Sequence, residues 1–167
     1  MYAPTTQASS ADVRSRRSHC TVAELRACVL RLDDAQAAGN LQTLLKERHL
    51  SILCSGRTKD VTAFQQAAKE LGASTAVVAS DLAWANDPHE IEKTCRLLSW
   101  LYDAVACIGV PGAAVDRLAR AASVPVRNAY VWSPAQLDRW AARPDALASP
   151  AHRRHRMLQA LVVLSME

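Results

Sequence analysis

Apolar positions recur along this chain at helical spacing and then in short continuous runs, and the two patterns take turns. Thr21 followed by Glu24 makes a capping box, and Val22, Leu25, Val29 and Leu32 then recur on one helical face until Gly39. That predicts a first helix over 20–39. Residues 49–54 (HLSILC) are a β-like run, and Phe64, Ala67, Ala68 and Leu71 form a helix face closed by Gly72. Residues 74–79 (STAVVA) are the next strand. Asp87-Pro88-His89-Glu90 supplies a cap, a first-turn proline and an acid, opening a helix through Ile91, Cys95, Leu98 and Leu101. A strand over 104–108, a helix over 113–122 and a strand over 124–130 follow. Ser133-Pro134-Ala135-Gln136 starts another helix by the same capping logic, and Ser149-Pro150 opens the last one.

Strands alternating with helices in this way are βαβ units. The expected fold is therefore α/β, a four-stranded parallel sheet with helices on both faces. The chain divides into a loose polar arm over 1–19 and one domain over 20–167. Within the domain, an α/β core over 41–143 is followed by a closing helix over 149–167. At 167 residues the chain suffices for one domain with a sizeable core and no disulfide or metal staple.

Composition narrows the class. Half the residues are apolar and 22% are charged, which excludes a disordered chain, and aromatics at 5% argue against a β-sandwich. No apolar run reaches the length of a membrane span, and the N-terminus lacks the apolar segment of a secretory signal. The net charge of +4 is mild and sits mainly at the two ends, in Arg14, Arg16 and Arg17 and in Arg153, Arg154 and Arg156. Without interleaved aromatics or a zinc signature these clusters read as solvated charge, and nucleic-acid binding is the weakest of the functions considered. The five cysteines form no C-x-x-C pair, and Cys28, Cys95 and Cys107 lie in apolar runs. A cytoplasmic protein with reduced thiols, no metal site and no cofactor is expected.

In parallel sheets ligands sit beyond the carboxyl ends of the strands. Here those ends are Ser55-Gly56-Arg57-Thr58-Lys59, then Ser80-Asp81, Ile108-Gly109 and Trp132-Ser133-Pro134. The first of these joins hydroxyls, cations and helix N-terminal amides, a combination that suits phosphate, although it is not a P-loop. Ser55, Arg57, Thr58 and Lys59 are the candidate phosphate ligands. The tryptophans, Trp84, Trp100, Trp132 and Trp140, read as packing residues, and His152 and His155 as solvent-facing.

From about Leu41 to Trp140 the chain resembles the carbamoyl-phosphate-binding half of the aspartate and ornithine carbamoyltransferases. LLKERHLSIL is similar to the family's first strand, and AFQQAAKELG to the helix after its Ser-Thr-Arg-Thr-Arg phosphate loop. IEKTCRLLSWLYDAVACIG resembles I-E-D-T-A-R-V-L-S-x-x-x-D-A-I-V-x-R-G, and SVPVRNA resembles S-V-P-V-I-N-A. ASPAHRRHRMLQALVVLSM resembles the family's last helix, which packs beside its first. The resemblance thus implies a first domain and a closing helix, with the amino-acid-binding domain absent between about Pro144 and Pro150. It also implies carbamoyl phosphate or phosphate as a ligand and a homo-oligomer, a trimer before a dimer.

The departures from the family pattern set the functional expectation. Anchored on the helix 64–72, the phosphate-loop positions read Arg57-Thr58-Lys59-Asp60-Val61; a different gap puts Ser55, Arg57, Thr58 and Lys59 on S-x-R-T-R. In the first register Asp60 stands where an anion should bind. Ile108 replaces the arginine that polarises the carbamoyl carbonyl, and Ser133 replaces the histidine of His-Pro-x-Gln, leaving Gln136 as the one catalytic position retained. The expectation is a carbamoyltransferase-like protein that is non-catalytic on its own, a binding or assembly subunit with a heterologous protein partner. The alternative is a carbamoyltransferase completed by a partner chain or using an unusual acceptor.

Overall fold

The computed structural model describes residues 20–56, 59–79, 86–129 and 149–167. Its elements in chain order are α1 (Val22–Ala37), a 3₁₀ turn (Leu41–Thr43), β1 (His49–Cys54), α2 (Lys59–Glu70) and β2 (Ser74–Ala79), then α3 (Pro88–Leu101), β3 (Ala104–Ile108), α4 (Gly112–Ala121), β4 (Val126–Asn128) and α5 (Pro150–Met166). The expected arm over 1–19 and the helix expected from Ser133 lie outside the described residues.

All four strands run parallel, in the order β2-β1-β3-β4. Cys54 pairs with Ala79 on one side and Ile108 on the other, so the three longest strands end level and their following loops share one edge. β4 is shorter than the run 124–130 suggests. Pro125 has no N–H to give the ladder, and its carbonyl instead accepts from Val105 N–H at 2.8 Å. Conversely, α2 starts well before the apolar face that announces it, so Lys59 and Asp60 lie in its first turn and not in the loop.

The capping boxes are where the sequence puts them. Glu24 N–H donates to Thr21 Oγ1 at 3.2 Å, and Thr21 N–H returns to Glu24 Oε2 at 2.7 Å. Asp87 and Ser149 cap α3 and α5 by accepting from His89 and His152 N–H.

The pleat sorts side chains to two cores. Leu50, Ile52 and Cys54 of β1 and Ala104, Ala106 and Ile108 of β3 face α1, α2 and α5. Leu53, Val105 and Cys107 face α3 and α4. The dominant helix is α5, buried at every position from Arg156 to Ser165 and packed on α1, α2, β3 and β4. Leu25, Cys28 and Leu32 of α1 lie against it, with the Cys28 thiol 3.6 Å from the Ala160 carbonyl. The thiols are the small apolar fillers the sequence implies: burial pushes Cys95 up to about 11 and Cys107 to about 12, too high to ionise at neutral pH.

Trp100 departs from expectation. It is 85% exposed, with Leu97 and Leu101 beside it on the outer face of α3. The inner face is already filled by Ile91, Cys95 and Leu98, whose helical spacing leaves Trp100 turned outward. Among the described residues no helix is long and apolar enough to cross a membrane.

Candidate anion site at the strand ends

Level strand ends bring the β1 loop and the β3 loop together. Ser55 Oγ donates to the Gly109 carbonyl at 3.0 Å, tying the two loops across the edge of the sheet. Gly56 (φ 104°) and Gly109 (φ 69°) both take left-handed conformations that turn the chain sharply off its strand. This pins Ser55 but also engages its hydroxyl hydrogen, leaving the oxygen lone pairs directed elsewhere. Four residues on, Lys59 starts α2 with its side chain exposed at the helix N-terminus, where backbone N–H groups and the positive end of the helix dipole favour an anion.

Asp60 occupies the same first turn and is half-buried. A carboxylate there complements the helix dipole, so its local role is helix stabilisation, at the expense of any incoming phosphate. Ile108 ends β3 with 4% exposure and belongs to the core shared by α1, α2 and α5. It offers no hydrogen-bond donor to the edge. Arg57, Thr58, Ser133 and Gln136 lie outside the described residues, so of the predicted ligands and their neighbours the structure describes Ser55 at the end of β1, Lys59 and Asp60 in the first turn of α2, and Ile108. Sequence reasoning missed the Ser55–Gly109 tie. Its signal was present in the glycine that follows each of the two strand ends.

No family model matches the chain. Solved structures do. Ornithine carbamoyltransferase from Thermus thermophilus is 21% identical over 63% of this chain and 37% of its own, with a TM-score of 0.53. The Pyrococcus furiosus enzyme is 23% identical over 63% and 34%, at 0.53. The chain has a carbamoyltransferase-like fold. Aspartate transcarbamoylase from Trypanosoma cruzi in complex with phosphate gives 21% identity over 64% of this chain and 35% of that one, at 0.52. The chain spans about a third of the length of the structures it matches. At these identities the likeness concerns the backbone, and side-chain chemistry has to be argued from this chain's own residues.

Proposed function

We propose that this protein is a carbamoyltransferase-like binding or assembly subunit that holds phosphate or carbamoyl phosphate weakly at the strand ends and does not turn over alone. The single observation that carries this reading is Ile108. Carbamoyl transfer needs a cation on the developing oxyanion, and the loss of one such donor elsewhere costs about 10²–10³ in rate. At this position an aliphatic side chain is folded into the core instead. Asp60 adds a negative charge to the helix turn where the phosphate would sit. The fold shared with a phosphate-bound transcarbamoylase supports the anion, and Ser55, Arg57, Thr58 and Lys59 are the proposed ligands, Ser55 by turning its hydroxyl away from the Gly109 carbonyl. The amino-acid-binding half of the relatives has no counterpart in the proposed organisation, in which α5 closes the first domain directly.

Calorimetry with carbamoyl phosphate and with phosphate tests the site. The wild type is expected to bind weakly, and Asp60→Thr to bind about tenfold more tightly, because one repelling charge is gone. Heat from neither protein would reduce the loop to a turn. In the same preparations no citrulline or carbamoyl-aspartate should form from ornithine or aspartate. Turnover by the protein alone would overturn the non-catalytic reading, and turnover only with a second chain would replace it by a completed enzyme.

Self-association is part of the same proposal, with a trimer as the assembly. Leu97, Trp100 and Leu101 form an exposed apolar stripe on α3, at 59%, 85% and 57% exposure. A stripe of this kind marks an interaction surface, and tryptophan is enriched at the energetic centres of interfaces. Light scattering should give a multiple of the 18.2 kDa chain mass, and Trp100→Glu should shift it toward monomer with unchanged circular dichroism. A wild type that is monomeric at micromolar concentration removes the trimer.

A further inference from the structure

The opposite end of α2 borders a cleft that carbamoyl phosphate binding does not use. Lys59 and Glu70 lie at the two ends of that helix, about 16 Å apart along its axis. Around Glu70 the C-terminal end of α1, the 3₁₀ turn and the first half of α5 enclose about 440 Å³. Gln36, Gln42, Glu70, His152, His155 and Arg156 bring polar groups to walls whose exposed surface is otherwise mostly carbon. A space of this size is typical for a small-molecule ligand.

The polar groups at its base are built in, not draped over the surface. Arg156 is 5% exposed and Gln159 is 3% exposed. Arg156 Nη1 donates to Gln159 Oε1 at 2.7 Å, and Gln159 Nε2 donates to Glu70 Oε2 at 2.9 Å. The same carboxylate oxygen lies 2.5 Å from His155 Nε2, and Gln66 donates to the other oxygen at 3.0 Å. Burial pushes the Glu70 carboxyl up, but the hydrogen bonds from His155, Gln66 and Gln159 prevail and hold it below the usual carboxylate range. Glu70 is thus committed as an anion to this network. Arg156 is less fully committed. Its Nε lies 3.0 Å from Asp33 Oδ1, yet the N–H is not aligned on that oxygen and has no hydrogen-bond partner.

Arg156 therefore corrects an expectation, being buried and not solvated, while His155 keeps part of its side chain in solvent and pairs with Glu70. Burying a guanidinium costs several kcal/mol unless its bonds are satisfied. Here the buried guanidinium lines an open cleft with one of its N–H groups unmatched. Arg156 is the full cation among the lining residues and Glu70 the carboxylate, and the first turn of α5, which carries no acid against its dipole, adds positive potential at the His152 side.

We propose that this cleft binds a small organic carboxylate, with Arg156 as the anchoring cation, His152 beside it and Gln36 and Gln42 hydrogen-bonding the body of the ligand. A carboxylate matches the planar guanidinium fork. The cleft is larger than inorganic phosphate needs, and the nearly buried Leu41 gives a carbon skeleton an apolar contact.

Titrating ¹⁵N-labelled protein with succinate, citrate and phosphate at matched ionic strength tests this. Saturable shifts are expected with the carboxylates at the side-chain amides of Gln42 and Gln159 and at the Arg156 guanidinium, and weaker ones there with phosphate. His152→Glu and Gln42→Glu change exposed side chains and should each weaken carboxylate binding about tenfold. Arg156→Lys should abolish it if the variant folds; the two rim variants decide the matter if it does not. Lys59→Ala should leave the carboxylate-induced shifts at Gln42, Gln159 and Arg156 in place whatever it does to phosphate at the strand ends, which separates this cleft from that site and makes its fate independent of the proposed function. Absence of saturable shifts with either carboxylate would overturn the proposal. So would rim variants that bind like wild type, phosphate binding as tightly as the carboxylates, or shifts confined to Ser55–Lys59.

Discussion

A chain ending before Ala151 is expected not to fold. Met157, Leu158, Leu161, Val162, Val163 and Leu164 of α5 are all buried, and their removal from water is worth about 9–18 kcal/mol gross. Whole domains are stable by about 5–15 kcal/mol net. The loss does not stop at the helix itself, because the vacated surface includes Leu25 and Leu32 of α1, Phe64 of α2 and Ala106 of β3, all in the same core. Far-ultraviolet circular dichroism and size exclusion of the truncated chain should show loss of cooperative melting, or an insoluble product. The single substitution Leu161→Ala gives a graded version, with an expected cost of about 2–5 kcal/mol by denaturant titration. Cooperative melting of the truncated chain at the wild-type temperature would mean that α5 is not integral to the core. The proposed organisation, a first domain closed by this helix, would then lose its support.

Gly72→Ala should be the most damaging single methyl group added to this protein. Gly72 ends α2 with φ at 89°, and a Cβ built there would meet the Gln42 carbonyl oxygen at 2.3 Å. That oxygen belongs to the backbone of the 3₁₀ turn, which is fixed in turn by the 2.8 Å bond from Leu45 N–H to the Leu71 carbonyl. Neither side can move without breaking the α2-to-β2 connection. The left-handed backbone alone costs an alanine about 1–2 kcal/mol, and the clash should bring the total to about 3–5 kcal/mol. At this chain length that lowers the melting temperature by roughly 6–20 °C. Gly39→Ala is the control. Its φ is 72° but nothing lies within 4 Å of the new methyl, so only the backbone cost of about 1–2 kcal/mol applies. Equal melting temperatures for the two variants would show that the turn yields and that the contact at Gly72 is not rigid.

What the sequence by itself determined, among the described residues, is the set of long elements and their order. Period and capping are local signals, and they suffice where one face of each element is buried. Thr21 with Glu24, Asp87 with Pro88, and Ser149 with Pro150 marked three N-caps, although the first helix begins at Val22 and not at 20. The runs 49–54, 74–79 and 104–108 are the three long strands to the residue. Alternation of strand and helix then dictated a parallel sheet, and the level edge where phosphate ligands were sought follows from that sheet. The start of α2 was less legible, because its first two residues are Lys59 and Asp60 and the lone apolar residue of its first turn is Val61, three positions ahead of Phe64.

Only the tertiary structure decided how side chains were shared between neighbours distant in sequence. In the sequence, Arg156 and His155 are members of a basic run, indistinguishable from Arg153 and Arg154. Asp33 and Glu70, far away in the chain, draw them inward, and that pairing has no local signature. Trp100 shows the reverse: its size suggests a core residue, but Ile91, Cys95 and Leu98 already fill the inner face of α3 and leave it outside. Ile108 was legible as the apolar end of a strand, whereas its place in the core beneath α1, α2 and α5 required the register of β3 to be known. A local pattern fixes which face of an element is apolar; which groups meet across that face depends on the packing of the whole chain, and the cleft at Arg156 exists only there.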